Sequence, residues 1–420
     1  MMTRKKITLG IFGFGCVGQG LHDVLSRTNG LKAQIKKICI KNSLKERSLA
    51  PSLFTANRDE ILFDDEIDVI VELINDDQAA FEIVKTAMEN GKSVVSASKK
   101  MIANHLPELT ALQEKYGVSF LYEGACCASI PIIRNLEEYY DNDLLHALKG
   151  IFNGSTNYIL TKIFDEKKTY HEALHEAQEL GFAETDPKMD VEGFDPKYKL
   201  CILLYHAFGI YIQPELIFNF GISRLNDFDI RYAIEKKSTI KLLAVCRKIN
   251  NRVVAYVLPH FVNRQSKLFS VTNEYNAVIV ESAFADQQVF TGKGAGSTPT
   301  GTAVLSDISA LTYGYKYEYR KRKQLKVRSR APAFAVEYAY NENEPLAGQL
   351  NEETLFCNHV LLKVYVRYNR DSDIMPEDFE EIEERYSSAS FQFICGYVRL
   401  ETLAGAAWIE NENISIIVFE

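Results

Sequence analysis

The chain has 420 residues, 46% of them hydrophobic and 25% charged, with a formal net charge of -8 at pH 7. This length exceeds that of a single hydrophobic core, so we expect about two or three domains of an ordinary soluble globular protein. Because phosphate binding depends on a surplus of cationic side chains, the acidic balance argues against nucleic acid as a partner.

The cysteines and apolar runs indicate the compartment. Eight cysteines are spread along the chain without a CxxC pair, which is typical of reduced cytosolic thiols. The N-terminus passes directly from a basic stretch into a strand pattern, without an apolar run of signal-peptide length. Residues 201–212, the most apolar later stretch, are too few to span a bilayer. We therefore expect a cytoplasmic protein with no membrane partner.

The first third of the chain alternates strand and helix patterns. Short β-rich runs cover residues 6–12, 35–40, 67–74, 93–96 and 118–122, and helical patterns cover residues 18–25 and 79–90. Strands separated by helices form βαβ units and a parallel sheet. The sequence therefore predicts an α/β fold whose first domain, residues 1–130, is a Rossmann-type parallel sheet.

The middle section has a different pattern, and residues 131–291 are interpreted as an inserted α+β domain. Asp195-Pro196 has the form of an N-cap followed by proline at the first helical position. Later runs at residues 253–258, 277–280 and 288–290 predict strands. A Gly-rich loop at residues 292–299 and a helix at residues 302–312 then return the chain to the dinucleotide-binding domain, over about residues 292–320.

The C-terminal part begins with a basic segment, residues 316–330, in which tyrosines are interleaved. One basic run in an acidic protein is a weak nucleic-acid signal, so we favour a solvated helix face and linker. From residue 359 onward the pattern is strand, acidic helix, strand and a last strand at residues 414–419. It predicts a small α+β C-terminal domain, residues 350–420, with either a regulatory or a packing role.

The strongest local signal is a glycine-rich turn between the first strand and the first helix, Gly13-Phe14-Gly15-Cys16-Val17-Gly18. The first glycine permits the tight turn, the second lets backbone approach a pyrophosphate, and the third lets the helix pack closely on the strand. The helix N-terminus stabilises the anion. We therefore predict that the residues of this turn bind a dinucleotide cofactor.

The end of the second predicted strand bears on the choice between NADP and NAD. NAD-binding units usually carry an acid there, but here Lys41, Lys45 and Arg47 follow the strand. These cations could meet a 2′-phosphate, which favours NADP. A solvated basic loop is the alternative, because Glu46 interrupts the cluster.

Charged residues between two predicted helices have the chemistry of an active site. Reduction of a carbonyl generates negative charge on oxygen, which needs a proton donor or a cation, whereas a substrate ammonium group needs carboxylates. Residues 181–199 offer both kinds of group, and Asp195 and Lys199 can share a helix face. An N-cap aspartate and a solvated lysine explain the same spacing equally well.

Four further motifs resemble those of the homoserine dehydrogenase family, and the resemblance runs from about residue 7 to about residue 311. Residues 93–100 resemble V-T-A-N-K, and residues 122–133 resemble Y-E-A-x-V-x-x-G-x-P-I-I. Residues 150–160 are close to G-I-x-N-G-T-T-N-Y-I-L, and residues 184–199 match A-E-x-D-P-x-x-D-x-x-G-x-D-x-x-x-K. The chain departs from the family at Ser98, where asparagine is usual, and at Cys126 and Cys127.

The resemblance implies reversible NAD(P)H-dependent reduction of L-aspartate 4-semialdehyde to L-homoserine, in threonine and methionine biosynthesis. It implies that Lys199 donates the proton to the carbonyl oxygen and that Lys99 is a second essential lysine. The acids that would hold or orient the substrate are Glu184, Asp190 and Asp195. Further cofactor contacts are implied at Lys99, Asn75, Gly294 and Gly296.

The resemblance also implies a monovalent cation, usually sodium (Na+), and a homodimer or higher homo-oligomer. By motif position, the cation ligands are the side chain of Glu123 and the backbone carbonyls of Cys126, Ala128 and Ile130. Backbone oxygens suit a hard cation, but a buried Glu123 that caps backbone amides is an equally good interpretation. Some members carry a C-terminal ACT domain that senses an end product, although residues 350–420 show no convincing glycine-rich ligand turn.

Three other functions stay open. An acyl-enzyme dehydrogenase would use Cys126 or Cys127 as a thiolate nucleophile, which needs an electropositive setting and a partner base. A nucleotide-sensing protein would keep the glycine turn and need neither Lys99 nor Lys199. A different nicotinamide-dependent dehydrogenase of an amino-acid-like substrate is the third.

Overall fold

In a computed structural model of the protein, the described residues are 6–42, 47, 49–142, 144–249, 252–322, 361–369, 381–387, 391–400 and 415–419. The predictions for Lys45, for residues 323–330 of the basic segment and for much of the C-terminal domain lie outside them. Within the described part of the chain, no helix combines the length and the apolar character needed to cross a membrane.

The first sheet is parallel and is built from six short strands. They are β1 (Ile7–Phe12), β2 (Ala33–Cys39), β3 (Phe54–Thr55), β4 (Val69–Glu72), β5 (Ser93–Ser96) and β6 (Phe120–Leu121). Their order, β3-β2-β1-β4-β5-β6, reverses direction between β1 and β4. This is the Rossmann order, in which ligands bind outside the carboxyl ends of the strands at the reversal. The predicted α/β fold is confirmed.

Four helices accompany this sheet: α1 (Cys16–Arg27), α2 (Asp59–Leu62), α3 (Asp77–Glu89) and α4 (Lys99–Tyr116). The central strands end in register, since Phe12 of β1 pairs with Glu72 of β4, and Glu72 pairs with Ser96 of β5. The loops that follow these three strands carry the glycine turn, Asn75 and Lys99. One edge of the sheet therefore brings these sequence signals together.

The second sheet is mixed and contains ten strands. They are β7 (Leu145–Ile151), β8 (Phe218–Asn219), β9 (Ser238–Ile249), β10 (Arg252–Asn263), β11 (Tyr275–Ser282), β12 (Asp286–Lys293), β13 (Leu361–Asn369), β14 (Glu381–Ser387), β15 (Phe391–Arg399) and β16 (Ser415–Phe419). Their order is β12-β11-β7-β9-β10-β16-β13-β15-β14, and β8 pairs with β10 beside this path. The predicted strands at residues 253–258, 277–280 and 288–290 are confirmed as parts of β10, β11 and β12.

In the part of the chain that the structure describes, the second half of the fold contains helices α5 (Ile132–Glu138), α6 (Gly154–Glu166), α7 (Tyr170–Glu179), α8 (Lys188–Val191), α9 (Phe194–Phe208), α10 (Asp227–Glu235) and α11 (Ser297–Leu311). The long helix α9 is buried over most of its length. It contacts α4 on one side and β7, β9 and β10 on the other. A helix that is buried along most of its length is typical of such a central position, and its charged residues Asp195 and Lys199 pair with each other.

Helix α11 packs on α1 through two glycines. A Cβ atom on Gly20 would lie 2.0 Å from the carbonyl oxygen of Ser297, and one on Gly301 would lie 2.5 Å from the carbonyl carbon of Gly20. Only glycine permits so close an approach of two backbones. The chain therefore returns to the Rossmann sheet after the second domain, beside the glycine turn.

The C-terminal strands extend the second sheet. Strand β16 pairs in parallel with β10, and β13 pairs with β16. The acidic stretch that we predict as a helix includes Glu381–Ser387, which is strand β14 and pairs with β15. The helix prediction is wrong for these residues, because pairing with a neighbouring strand overrides local propensity.

The basic segment is anchored in the core over its described residues, 316–322. Tyr317 and Tyr319 are buried. Lys321 is also buried and donates hydrogen bonds to the carbonyl oxygens of Leu136 and His206. Burial lowers the pKa of Lys321 to about 8. The prediction of a solvated segment is wrong for Tyr317, Tyr319 and Lys321, which are buried, whereas Lys316 and Arg320 are exposed as expected.

Candidate active site

The glycine turn has the geometry of a dinucleotide site. Gly13 has a φ of 94°, and a Cβ atom there would lie 2.7 Å from the carbonyl oxygen of Leu73. A Cβ atom on Gly18 would lie 2.7 Å from the carbonyl oxygen of Gly13, whereas nothing lies within 4 Å of one on Gly15. Helix α1 begins at Cys16 without a side-chain cap. The open space at Gly15 and the uncapped helix N-terminus suit a pyrophosphate.

The later glycine loop contacts this turn. Ser297, at the start of α11, donates a hydrogen bond from its hydroxyl to the carbonyl oxygen of Cys16, at 2.7 Å. Gly296 has a φ of 116°, and a Cβ atom on Gly294 would lie 1.9 Å from the amide group of Asn276. Gly294 and Gly296 therefore sit where the second domain meets the cofactor turn.

Of the three predicted cations, Lys41 and Arg47 lie among the described residues, and both follow β2. Lys41 is exposed. Arg47 donates a hydrogen bond to the carbonyl oxygen of Asn42, at 2.7 Å, and its guanidinium lies 5.3 Å from the ring centroid of Phe54. These contacts hold Arg47 at the carboxyl end of β2, where the ribose of a dinucleotide lies in Rossmann folds.

Asp195 joins two lysines from different parts of the fold. Lys199 Nζ lies 2.7 Å from Asp195 Oδ2, one helical turn away on α9. Lys99 Nζ, from the first residue of α4, lies 3.0 Å from Asp195 Oδ1. Lys199 also donates a hydrogen bond to the carbonyl oxygen of Phe152, at 2.7 Å. An ammonium group has three N–H donors, so one N–H of Lys199 remains for a substrate oxygen.

Burial and charge act in opposite directions on this pair. Burial would raise the pKa of Asp195, but the charges of Lys199 and Lys99 outweigh it and hold that pKa well below its usual range. Burial would lower the pKa of Lys199, but the Asp195 carboxylate outweighs it and raises that pKa. Lys199 is therefore a protonated donor at neutral pH. Lys99 has 38% of its side chain exposed, so its ammonium group is open to solvent or to a ligand.

Asn153 is a site residue that we did not predict. Its amide donates hydrogen bonds to Asp190 Oδ1, at 2.6 Å, and to Asp195 Oδ2, at 2.8 Å. Its side-chain oxygen caps α6 by accepting from the backbone amide of Thr156. Burial and the neighbouring charge of Asp195 raise the pKa of Asp190. The signal in the sequence was the position of Asn153 in the motif at residues 150–160.

Glu184 stands apart from this cluster. Glu184 is exposed, and its backbone carbonyl accepts a hydrogen bond from the side chain of Gln178 on α7. The structure brings together Lys99, Asp190, Asp195 and Lys199 but places Glu184 on the loop before α8. Its predicted contact with the substrate stays a prediction.

Glu123 caps the start of α5, as the alternative interpretation expects. Its two carboxyl oxygens accept hydrogen bonds from the backbone amides of Ile133 and Arg134, at 2.8 and 2.9 Å. Burial, together with the charge of Asp307, raises the pKa of Glu123 to about 8. Burial also raises the pKa of Asp307 to about 6, although Arg134 pairs with it at 2.8 Å.

The donor groups named around Glu123 are of the chemical type that binds a monovalent cation. Each oxygen of Glu123 accepts one amide hydrogen and keeps a lone pair, and backbone carbonyls of residues 126, 128 and 130 are of the hard-donor type. Among the described residues, no group of three or more His, Cys, Asp or Glu side chains could hold a metal ion. A cation here would therefore depend on backbone oxygens, and it would offset the raised pKa of Glu123.

The two adjacent cysteines do not have the environment of a nucleophile. Cys126 and Cys127 are buried. Burial raises the pKa of Cys127 to about 12 and raises that of Cys126 well above its usual range. Since the thiolate is the reactive form, the burial of both thiols argues against the acyl-enzyme alternative.

Protein-family models match most of the first three quarters of the chain. The model described as "Homoserine dehydrogenase, NAD binding domain" matches residues 13–123, and the model described as "Homoserine dehydrogenase" matches residues 131–309. The first match contains the glycine turn and Lys99, and the second contains Asn153, Asp190, Asp195 and Lys199.

Individual proteins give the same result. The homoserine dehydrogenase of Lactococcus lactis subsp. lactis is 36% identical over 313 residues, which are 72% of this chain and 73% of that protein. The crystal structure of a homoserine dehydrogenase from Thiobacillus denitrificans matches with a TM-score of 0.79 and 30% identity, over 99% of this chain and 98% of that one. A hyperthermophilic archaeal homoserine dehydrogenase in complex with NADPH matches with a TM-score of 0.64 and 26% identity, over 74% of this chain and 99% of that one.

Proposed function

The chain belongs to the homoserine dehydrogenase family, and from this premise we propose how its residues carry out the NAD(P)-dependent interconversion of L-homoserine and L-aspartate 4-semialdehyde. When bound, the nicotinamide cofactor supplies or accepts the hydride. The observation that carries the proposed residue roles is Asp195, whose two oxygens hold Lys199 and Lys99 at 2.7 and 3.0 Å.

Lys199 is the proposed proton donor. During reduction, negative charge develops on the carbonyl oxygen, and a positioned ammonium group stabilises that charge and gives up a proton. In the oxidation of homoserine, the neutral amine form of the same nitrogen takes the hydroxyl proton and becomes the ammonium group. Phe152 and Asp195 fix the ammonium group from two sides, so its third N–H has a defined direction. Preorganised donors of this kind act without reorganisation during the reaction.

Lys99 is the proposed second catalytic lysine. It begins α4 directly after β5, at the carboxyl edge where the cofactor turn lies. Its ammonium group is anchored by Asp195 and remains partly exposed. It is thereby placed to contact both the nicotinamide end of the cofactor and the substrate.

Binding of the substrate ammonium group is assigned to the carboxylates of the cluster. Asp190 is held by Asn153, and its pKa is raised by burial and by Asp195. A nearby cation stabilises such a carboxylate in its ionised form. Asp195 orients both lysines. We assign Glu184, on the loop before α8, to substrate binding on the basis of the family motif alone.

The cofactor contacts are assigned to the loops at the carboxyl edge of the first sheet. The glycine turn holds the pyrophosphate, and Lys41, Lys45 and Arg47 receive a 2′-phosphate, which makes NADP the preferred cofactor. The positions of Lys41 and Arg47 at the end of β2 support this preference. Asn75, Gly294 and Gly296 complete the cofactor contacts.

Four further features are proposed. A sodium ion is held by Glu123 and the carbonyl oxygens of Cys126, Ala128 and Ile130. The enzyme forms a homodimer through the second sheet, where the edge strand β12 carries half-exposed side chains. It works in the cytoplasm, since its described cysteines are all free thiols. The domains are residues 1–130 with about 292–320, residues 131–291, and residues 350–420.

The test is an assay of the purified full chain with L-homoserine and either NADP or NAD, followed at the nicotinamide absorbance band. We expect homoserine-dependent reduction of both cofactors, faster with NADP. L-serine, which is one methylene shorter, and D-homoserine are the controls and should be far poorer substrates. Added L-threonine tests a regulatory role of residues 350–420. Absence of homoserine-dependent reduction with both cofactors would contradict the proposed roles.

A further inference from the structure

A buried acid outside the proposed catalytic cluster is tied to the start of the helix that carries Lys99. Glu72 is the last residue of β4, at the carboxyl edge of the sheet, and it is fully buried. Its Oε2 accepts a hydrogen bond from the hydroxyl of Ser96, at 2.6 Å, and its Oε1 accepts one from the backbone amide of Ile74, at 2.7 Å. Glu72 has no role in the quoted family motifs or in the proposed mechanism.

The hydrogen bonds continue from Glu72 to Lys99. The oxygen of the Ser96 hydroxyl accepts from the backbone amide of Ser98, at 3.1 Å, and Ser98 is the N-cap of α4. The backbone carbonyl of Glu72 accepts from the amide of Ala97, at 3.2 Å. Glu72 therefore holds the short loop between β5 and α4 with both its main chain and its side chain. Lys99 is the first residue after this loop.

The other oxygen of Glu72 fixes the loop on the cofactor side. The amide of Ile74 is one residue before Asn75, and the amide of the intervening Leu73 donates to the carbonyl oxygen of Phe12 at 2.8 Å. That loop touches the cofactor turn, because a Cβ atom on Gly13 would lie 2.7 Å from the carbonyl oxygen of Leu73. One carboxylate thus fixes the loops after two neighbouring strands.

We propose that Glu72 and Ser96 are positioning residues for the reaction, which set the place of Lys99 through the Glu72–Ser96–Ser98 hydrogen-bond chain. Ser98 gives α4 no side-chain cap, so the link through Ser96 joins the main-chain bond from Ala97 to Glu72 in tying the helix start to the sheet. Burial of a carboxyl group without a cationic partner is unfavourable, and it raises the pKa of Glu72 to about 7. A protein retains such a group where its hydrogen bonds define a geometry.

The ionised carboxylate of Glu72 is the form that fits the Glu72–Ser96–Ser98 hydrogen-bond chain. Both of its neighbours donate hydrogen to it, and the Ser96 oxygen already accepts from Ser98. A glutamine at position 72 has only one acceptor oxygen, so either the hydroxyl of Ser96 or the backbone amide of Ile74 would face an N–H and lose its acceptor. E72Q therefore breaks one of the two contacts with little change in side-chain volume.

The inference rests on the proposed role of Lys99, and the variants S96A, S96T and E72Q test it. S96A removes the hydroxyl, while S96T keeps it and restores the residue of the motif V-T-A-N-K. A displacement of about 1 Å in a catalytic group can lower the rate by about 100-fold. We therefore expect kcat for homoserine oxidation to fall at least about tenfold in S96A and E72Q. S96T should stay within about twofold of the wild type.

Two further measurements separate positioning from loss of fold. The Kd for NADPH, measured by its fluorescence, should change by less than about threefold in S96A, because the glycine turn is untouched. The kcat of the double variant S96A/E72Q should be no lower than that of the poorer single variant, since two residues in one chain do not act additively.

Several outcomes would overturn the inference: wild-type kcat in S96A, an equal loss in S96T, or additive losses in the double variant. If E72Q does not fold, the comparison of kcat in S96A and S96T still tests the positioning role of Ser96. A wild-type enzyme without homoserine activity would instead overturn the proposed roles themselves, and the positioning role with them. The two failures are thus distinguishable.

Discussion

Asp195 Oδ1 lies 3.0 Å from Lys99 Nζ, so one ion pair joins the first turn of α9 to the first residue of α4. The other oxygen of Asp195 holds Lys199 on its own helix. The relative positions of the two lysines therefore depend on a buried carboxylate. Helix α4 of the Rossmann domain and helix α9 meet at this residue.

Removing Lys199 should affect turnover more than cofactor binding. Loss of a positioned general acid typically lowers a rate by about 10²- to 10⁴-fold, and we expect a fall of that size in kcat for K199A. The Kd for NADPH should stay within about twofold, since the lysine acts on charge that develops during the reaction.

Lys197 provides a matched control on the same helix. Its ammonium group lies 4.8 Å from the ring centroid of Phe194 and outside the ion-pair cluster. K197M keeps the apolar part of the side chain and should retain at least about half of the wild-type kcat. Wild-type turnover in K199A would remove the assignment of Lys199 as proton donor.

The first sheet was predictable because its buried strands alternate with helices and end in turn residues. Strands β7 and β9 were not predicted. β9 is an almost continuous buried run, which periodicity alone does not distinguish from a helix. β7 interrupts its apolar residues with His146 and Lys149. The order of the strands in either sheet depends on contacts between segments far apart in sequence.

The site was predictable only in part. The spacing of Asp195 and Lys199 placed them on one helix face, and the family resemblance added Lys99. Asn153 was missed because its bonds to Asp190 and Asp195 cross between α6, α8 and α9. Glu72 was missed because an acid inside a strand pattern gives no local sign of burial.

Charge reversal at Lys41 should change the cofactor preference. If Lys41 faces the 2′-phosphate, K41E replaces an attraction by a repulsion. We expect the ratio of kcat/KM for NADP to that for NAD to fall about tenfold, which corresponds to about 1.4 kcal/mol. Lys32 is exposed just before the other end of β2, so K32E makes the same change in net charge. An equal shift in both variants would show that overall charge, rather than a phosphate contact, sets the preference.

Asn153 should matter for substrate binding more than for stability. A serine retains the helix cap, which is worth about 1 kcal/mol, but it is too short to reach both Asp190 and Asp195. N153S should therefore unfold within about 1 kcal/mol of the wild type in a urea titration, while KM for homoserine rises or kcat falls by about tenfold. Unchanged kinetics in a stable N153S variant would contradict a role for this amide in the site.

The buried acids Glu123 and Asp307 predict how sodium stabilises the protein at different pH values. Their pKa values are raised to about 8 and about 6, so the folded protein holds protons that the unfolded chain has lost. The stability that these two groups contribute is complete at pH values below their ordinary pKa values of 4.5 and 3.8. It declines as the pH rises toward 8. A cation at Glu123 competes with the proton, so its stabilising effect should increase over the same range.

Thermal unfolding in sodium chloride and in choline chloride of equal ionic strength measures this effect. At a sodium concentration about 100 times its Kd, binding adds about 2.7 kcal/mol, which corresponds to a rise in Tm of roughly 3 °C for a chain of 420 residues. We expect this rise at pH 8.5, a clearly smaller one at pH 6.5, and none in E123Q, whose neutral amide offers the cation no negative charge. Equal Tm values in the two salts at both pH values would show that Glu123 serves only to cap α5.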